Sequence, residues 1–162
     1  MNHYGKIRSM ASVYLRRDNQ LLLLYRTGTS IVSNLWIGSA GGHFEEGELR
    51  NARSCVLREL FEELAIEESA LGNLTLRYVS LRYTDGELRQ NYYFFADLLD
   101  PNIQTPTSTE GNTCWFPLDK MDALPMPITA RCVVEHYLKT GQYNDALYGG
   151  IANKEGMEFV KL

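Results

Sequence analysis

The amino-acid sequence predicts a mixed α/β (α+β) fold in which β-strands precede, separate and follow two helices. Short apolar stretches rich in aliphatic and aromatic residues end at turn residues, as strands do. Two longer stretches, about 49–64 and 127–141, are rich in residues that favour helix. A chain of 162 residues is long enough to bury a hydrophobic core, so we expect a single domain over residues 1–162.

The first half of the chain begins with two predicted strands. The segment MASVYLRRDNQLLLLYR reads as a pair of strands on either side of a polar turn at 17–20. The next segment, TGTSIVSNLWIGSAGG, has the composition of a loop, with Trp36 and Ile37 as its apolar anchors. The first helix is then predicted over about 49–64.

The second half is predicted to contain more strands and the second helix. Residues 74–99 read as a long hairpin whose turn, TDGE, contains the Asp-Gly pair that favours tight hairpins. NTCWFPL is a further strand, and PITARCVVEHYLKTG is a helix that starts near Pro127 and stops at Gly141. The final residues are predicted to form a short hairpin around NKEG.

Composition and charge exclude several classes of protein. A net charge of −4 with no basic stripe argues against a protein that binds polymeric nucleic acid. The longest aliphatic run, LLLLY, is too short to cross a membrane, and MNHYGKIRSM lacks the apolar centre of a signal peptide. Cys55, Cys114 and Cys132 fit no disulfide or metal spacing and are expected to be buried, reduced thiols. We expect a cytoplasmic protein without a membrane partner.

The first helix carries a concentration of negative charge. At about 100° per residue, four apolar side chains lie within one stripe that should face the core: Leu57, Leu60, Phe61 and Leu64. The opposite side holds three glutamates that are neighbours through their i, i+3 and i+4 spacing: Glu59, Glu62 and Glu63. The sequence therefore predicts an acidic face near the end of this helix.

Either a solvated face or a bound cation accounts for these glutamates. Glutamate is a good helix former. However, like charges about 5 Å apart repel by roughly 1 kcal/mol in water, and acidic residues in a last helical turn oppose the helix dipole. Arg58 is the only cation close to them in sequence, and one cation does not balance three carboxylates. Clustered carboxylates suit hard ions such as Mg²⁺ or Mn²⁺, and the glycines at 41, 42 and 47 let the preceding backbone approach a metal or phosphate.

These residues resemble the signature of the Nudix hydrolases, G-x5-E-x7-R-E-U-x-E-E-x-G-U, where U is aliphatic. Six positions at the end of the signature match, together with Gly42 and Glu48 at its start: Arg58, Glu59, Leu60, Glu62, Glu63 and Ile66. Two departures stand out, because nine residues rather than seven separate Glu48 from Arg58, and Ala65 replaces a glycine.

The two extra residues bear on the position of Glu48. Inside a continuous helix they would rotate Glu48 by about 200° relative to Arg58, so we place them in the loop or first turn around 49–52. Glu45 and Glu46 are alternatives for the role of Glu48. A left-handed backbone at Ala65 would cost about 1 kcal/mol.

The resemblance implies a Nudix fold, a mixed sheet sandwiched between helices, and hydrolysis of a nucleoside diphosphate linked to another group. It implies that glutamates hold Mg²⁺, with Mn²⁺ as a possible substitute, and that the metal activates a water. Glu62 and Glu63 are the expected metal ligands, Glu59 a ligand or base, and Arg58 the residue that orients them. The Gly42 carbonyl and Glu48 are further candidate ligands.

Two residues outside the signature, and His43 inside its loop, are also candidates. Arg26 ends LLLLYR where MutT-like members carry a substrate-contacting arginine, and it is either a phosphate clamp or a surface charge. Glu110 precedes a strand in a late loop, where it is either an additional acidic ligand or an exposed side chain. His43 either contacts a phosphate or has a structural role in the loop.

The leading hypothesis is a Mg²⁺-dependent pyrophosphohydrolase of a nucleoside triphosphate such as 8-oxo-dGTP. One alternative is a hydrolase of ADP-ribose or another nucleotide sugar, which the early first strand disfavours. Another is a nucleotide-binding Nudix module without turnover, which the full set of glutamates disfavours. The expected partner is a small nucleotide, and the protein is a monomer or a homodimer.

Overall fold

The computed structural model describes residues 6–27 and 34–162. The helices and strands of these ranges are β1 (Lys6–Arg17), β2 (Gln20–Arg26), β3 (Leu35–Ile37), β4 (Ala40–His43), α1 (Ala52–Leu64), β5 (Leu71–Thr84), β6 (Glu87–Leu98), β7 (Gly111–Pro117), α2 (Ile128–Lys139), β8 (Tyr148–Ala152) and β9 (Met157–Lys161). Single 3₁₀ turns cover Glu68–Ala70, Leu118–Lys120 and Gly141–Tyr143.

The strands form a mixed sheet in the order β3-β2-β1-β6-β5-β8-β9, with β4 paired to β1 and β7 to β2. β1 runs parallel to β6, and β5 runs parallel to β8, whereas the other pairs are antiparallel. One edge of β1 pairs with β6, and the other edge pairs with two strands. On that edge, residues 10–13 pair with β4 and residues 15–17 pair with β2. This division brings the glycines of β4 onto the sheet beside α1.

The sheet lies between the two helices, as predicted. Successive side chains of a strand point to opposite faces. Val13 of β1 belongs to the core cluster that contains Val56 of α1. The next residue, Tyr14, belongs to the cluster on the other face, with Tyr137 of α2. No helix in the described ranges is long and apolar enough to cross a membrane.

The predicted hairpins are confirmed, and their turns have the backbone that the residue types favour. In the β1–β2 turn, Asp18 and Asn19 both have positive φ, at 47° and 62°. In the β5–β6 turn, Asp85 and Gly86 have φ of 52° and 75°. Two successive left-handed residues match the right-handed twist of the flanking strands. The predicted strand at β7, the helix α2 and the final β8–β9 hairpin are also present.

Two predictions are wrong. The segment expected to be a loop contains β3 and β4 in its described part, while its residues 28–33 lie outside the described ranges. Trp36 and Ile37 are paired to β2 and the glycines to β1, since the divided sheet offers free backbone groups there.

The second wrong prediction is that all three cysteines are buried. Cys114 is exposed on β7, whereas Cys55 is buried and Cys132 is partly buried.

Candidate active site

The helix α1 begins after the two extra residues of the signature. Asn51 accepts a hydrogen bond from the Ser54 N–H at 3.1 Å, which caps the helix. The Asn51 N–H in turn donates to the Glu48 carbonyl at 2.8 Å, which closes a turn between them. The helix therefore starts at Ala52, three residues after the predicted start, and the extra residues lie in the turn that follows Glu48.

The end of α1 keeps the conformation that the signature associates with glycine. Ala65 has φ 54° and ψ 34°, in the left-handed region. The Ala65 N–H donates to the Phe61 carbonyl, and the Ile66 N–H donates to the Leu60 carbonyl, which satisfies two open carbonyls of the last turn. Alanine occupies this position at a conformational cost.

The predicted core stripe of α1 is partly wrong. Leu60 and Leu64 are buried and Leu57 packs partly against the core, but Phe61 is 58% exposed. Glu59, which was expected on the opposite side, is only 8% exposed. The buried side of the helix is therefore rotated so that it includes Glu59 in place of Phe61.

The glycines of β4 explain this rotation. A Cβ atom added at Gly42 would overlap the carboxylate of Glu59. A Cβ at Gly41 would come within 2.6 Å of the Ala11 carbonyl oxygen. Because β4 presents no side chain here, α1 packs close to it and the Glu59 carboxylate occupies the vacant space. The Gly42 carbonyl also faces α1, with the Cys55 thiol 3.7 Å away.

Arg58 is the centre of an ion-pair network that includes Glu48. Its Nε and Nη2 contact the two Glu48 oxygens at 2.8 and 3.1 Å, and its Nη1 donates to Glu59 Oε1 at 2.8 Å. Its Nη2 also donates to the His43 carbonyl at 3.1 Å. Hydrogen bonds from Arg58 lower the pKa of Glu48 to about 2, and those same bonds raise the pKa of Arg58. Glu48 thus contacts Arg58 despite the insertion.

Glu62 and Glu45 lie at the rim of this network. Glu62 is 55% exposed by its side chain, and its Oε2 lies 3.2 Å from Arg58 Nη1. Glu45 contacts the same nitrogen at 3.5 Å, and its backbone N–H donates to Glu48 Oε2 at 2.8 Å. Glu45 therefore joins Glu48 in surrounding Arg58 rather than replacing it.

Glu63 is the least compensated carboxylate of the site. Its Oε2 accepts a hydrogen bond from the Gly41 N–H at 3.3 Å. Burial, and then the negative charges of Glu59 and Glu110, raise its pKa to about 8 against the effect of that bond. Among the described residues, no cationic side chain lies within 4.0 Å of Glu63. This is the electrostatic situation that a bound cation relieves.

The structure brings Glu110 and Arg26 to the same region. The Thr109 N–H donates to the Glu63 carbonyl at 3.2 Å, which ties the loop before β7 to the last turn of α1. Arg26 lies opposite Gly111 in the β2–β7 pair, and its Nη2 is 3.3 Å from Glu110 Oε2. The loop therefore brings the Glu110 carboxylate towards the glutamates of α1, and Arg26 of β2 lies beside it.

His43 ends β4 next to this site. It lies opposite Met10 in the β4–β1 pair, and its side chain is largely exposed. Burial and then the positive charge of Arg8 lower the pKa of His43, while Glu59 and Glu87 oppose that effect. The neutral form of His43 is therefore favoured, between charges of both signs.

The donor atoms of the site suit a hard divalent cation. Glu59, Glu62 and Glu63 offer carboxylate oxygens, the ligand type that Mg²⁺ and Mn²⁺ favour. Within residues 6–27 and 34–162, no three His, Cys, Asp or Glu side chains already converge closely enough to hold an ion. Arg58 instead holds Glu59 and Glu62. With Glu63, these are the carboxylates that would hold a cation here.

Sequence reasoning missed three contributors to this geometry. The Gly41 N–H bonds Glu63, and Thr109 positions the loop that carries Glu110. Arg8 lies two residues from the partner of His43 on β1. The run of glycines signalled only a close backbone approach, and nothing local to Thr109 or Arg8 in the sequence points to this site.

Comparison with known proteins agrees with this geometry. A family model described as the NUDIX domain matches residues 6–137. A search of curated proteins found no significant match. A Nudix hydrolase from Nitrosomonas europaea superposes with a TM-score of 0.72 at 19% identity, covering 94% of this chain and 82% of that one.

Two further solved structures are also similar. A MutT Nudix hydrolase from Burkholderia pseudomallei gives a TM-score of 0.64 at 25% identity, with 80% of this chain and 97% of that chain covered. The dihydroneopterin triphosphate pyrophosphohydrolase of E. coli gives 0.62 at 20% identity, with coverage of 84% and 97%. The family match spans most of the chain, and the sheet and both helices agree with these structures. The chain therefore belongs to the Nudix family and is a pyrophosphohydrolase that acts on phosphorus-containing anhydrides.

Proposed function

We propose that this protein is a Mg²⁺-dependent hydrolase of nucleoside triphosphates, such as 8-oxo-dGTP, that releases the nucleoside monophosphate and pyrophosphate. The observation that carries the proposal is that Glu63 lies beside Glu59 beneath the Gly41–Gly42 backbone and has no cationic partner among the described residues. The nearby Arg58 contacts the other glutamates instead. Mn²⁺ is the expected substitute for Mg²⁺, because it accepts the same oxygen ligands.

The residues have separable roles in this proposal. Glu59, Glu62 and Glu63, with the Gly42 carbonyl, would hold the metal, which neutralises diphosphate oxygens and makes a bound water more acidic. Arg58 orients Glu59 and Glu62 through its contacts at 2.8 and 3.2 Å. Glu48 acts through Arg58, since both of its oxygens are engaged there.

Arg26 and Glu110 support a phosphorylated substrate next to the glutamates. Arg26 contacts Glu110 at 3.3 Å through one nitrogen, so the remainder of its guanidinium can bind a phosphate bidentately. Glu110 contributes to the raised pKa of Glu63, so it acts on the same charged centre as an additional ligand or base. One similar structure carries a name that specifies a triphosphate substrate, which favours triphosphates over nucleotide sugars here.

A nucleotide panel tests the proposal directly. Purified protein with Mg²⁺ would be incubated with canonical and oxidised nucleoside triphosphates, ADP-ribose and nucleotide sugars, and the products separated by ion-exchange chromatography. We expect monophosphate and pyrophosphate from a triphosphate, with 8-oxo-dGTP among the best substrates. Exclusive cleavage of ADP-ribose or sugar nucleotides would overturn the substrate assignment, and no cleavage of any member would overturn the activity.

A further inference from the structure

Three arginines form a row across neighbouring strands on the α2 face of the sheet. Arg8 lies opposite Arg89 in the parallel β1–β6 pair. Arg89 lies opposite Arg82 in the β5–β6 pair. Directly opposed side chains share one face of a sheet, and like charges in that position are destabilising. We call Arg8, Arg89 and Arg82 the arginine row.

The carboxylates near the arginine row do not balance it. Glu87 is shared by Lys6, Arg8 and Arg89 at 3.2, 3.8 and 3.6 Å, and Asp85 lies 4.0 Å from Arg89. In the part of the chain that the structure describes, no carboxylate lies within 4.0 Å of Arg82. Four cations therefore face two carboxylates, in a chain whose net charge is −4.

Unpaired polar atoms lie beside the arginine row. In the next register position, Asn91 is opposite Ser80. Ser80 Oγ, Asn91 Oδ1 and Arg89 Nε are buried, and among the described residues they have no hydrogen-bond partner. Ser80 is only 1% exposed. The Tyr93 hydroxyl is the polar neighbour of both Ser80 and Asn91, and Arg89 Nε faces Glu87 at 3.6 Å. The sheet beside the arginine row is therefore polar as well as positively charged.

The arginine row borders the glutamate site. Met10 is the partner of His43 on β4, and Arg8 lies two residues before Met10 on the same face of β1. Two residues of a strand span about 7 Å. The glutamates lie on the α1 side of β4 and the row lies on the α2 side, but His43 is close to both, because the charges of Glu59 and Arg8 both act on its pKa. A substrate whose diphosphate lies at Glu59 and Glu63 can therefore pass the end of β4 at His43 and place another group on the row.

We propose that Arg8, Arg82 and Arg89 bind a phosphate group of the substrate other than the phosphates at the glutamates. Guanidinium groups bind phosphate oxygens bidentately. The inference rests on the proposed hydrolysis of a nucleotide. The bound group is either the terminal phosphate of a triphosphate or a phosphate on the ribose.

Equilibrium binding in EDTA tests this inference without turnover. Isothermal titration calorimetry would compare GDP, GTP and GDP carrying a 3′-phosphate on the full-length protein and three variants. Arg82→Gln is the first test, because Arg82 forms no ion pair among the described residues and its loss breaks none. Arg8→Gln is the second test, and Arg53→Gln is the control. Arg53 pairs with Glu68 away from the row, so this control removes the same charge elsewhere.

We expect either GTP or the 3′-phosphorylated GDP to bind the wild type more tightly than GDP does. Arg82→Gln and Arg8→Gln should each reduce that preference by about tenfold. Loss of the GTP preference identifies the terminal phosphate, and loss of the 3′-phosphate preference identifies the ribose phosphate. Arg53→Gln should retain the preference. The inference is overturned if the wild type shows no preference, if both row variants keep it, or if Arg53→Gln loses it equally. Because no metal or hydrolysis is involved, these outcomes do not depend on the activity assay.

Discussion

Glu59 is buried directly against Gly42, so that the Glu59 carboxylate occupies the space that any larger side chain at residue 42 would fill. This contact links the glycine strand β4 to the acidic face of α1. It makes the position of one candidate metal ligand depend on the absence of a Cβ atom in a neighbouring strand.

Gly42→Ala should therefore impair activity more than stability. The added methyl displaces the Glu59 carboxylate, and a displacement of about 1 Å in a catalytic group can reduce turnover by about 100-fold. Steady-state hydrolysis with Mg²⁺ would measure this loss, with circular dichroism as a check of the fold. Gly156→Ala is the matched control, because a Cβ there meets no atom within 4 Å. Equal activity in the two variants would show that the Gly42–Glu59 contact is not required.

The stability of the metal-free protein should fall as pH rises from about 4.5 to about 8. Over this range unfolded Glu63 loses its proton first, while the folded state, whose pKa is raised to about 8, retains it. The folded state binds more protons, so the free energy of unfolding decreases with pH. Urea unfolding in EDTA at several pH values would measure this slope, and Glu63→Gln should reduce it. An unchanged slope in Glu63→Gln would assign the pH dependence to other groups.

Glu48→Gln should destabilise the protein by about 1–3 kcal/mol at pH 7, the usual range for a lost hydrogen bond to a charged group. Glu48 contacts Arg58 through both carboxylate oxygens. Its pKa is lowered to about 2, so its stabilising contribution is present above pH 4.5 and is lost as pH falls towards 2. The difference between wild type and Glu48→Gln in denaturant unfolding should therefore shrink in acid. A difference that is constant with pH would contradict an ionic role.

Ala65→Gly should stabilise the protein by about 0.5–1 kcal/mol. Ala65 has φ 54°, where alanine is strained by about 1–2 kcal/mol. Glycine removes this strain, but its greater freedom in the unfolded chain cancels part of the stabilisation. Thermal unfolding would show the increase. Ala52→Gly, in the first turn of the same helix, is the control and should lower the melting temperature. A lower melting temperature for Ala65→Gly would contradict the left-handed assignment.

Much of the fold was predictable because its signals are local. The Asp-Gly pair at residues 85 and 86 located the long hairpin, and Pro127 and Gly141 marked the two ends of α2. β3 and β4 were missed because their short, glycine-rich sequences become strands only through pairing with β1 and β2.

The site was predictable where the signature is continuous and less so elsewhere. The glutamates of α1 were found from their spacing, but the burial of Glu59 depends on the missing side chain of Gly42, across a strand. The contact between Glu48 and Arg58 depends on how the turn at 48–51 absorbs two residues. The role of Thr109 arises from tertiary packing alone, which a linear pattern does not contain.

The central claim is that Glu59 and Glu63 hold a divalent cation. Calorimetric titration of Mn²⁺ into metal-free protein at pH 8 tests it most directly, with Glu67→Gln as a control on an exposed glutamate just beyond α1. We predict one saturable site in the wild type and in Glu67→Gln, with affinity reduced by about tenfold or more in Glu59→Gln and Glu63→Gln. Equal Mn²⁺ affinity in all four proteins, or no binding to the wild type, would contradict the claim.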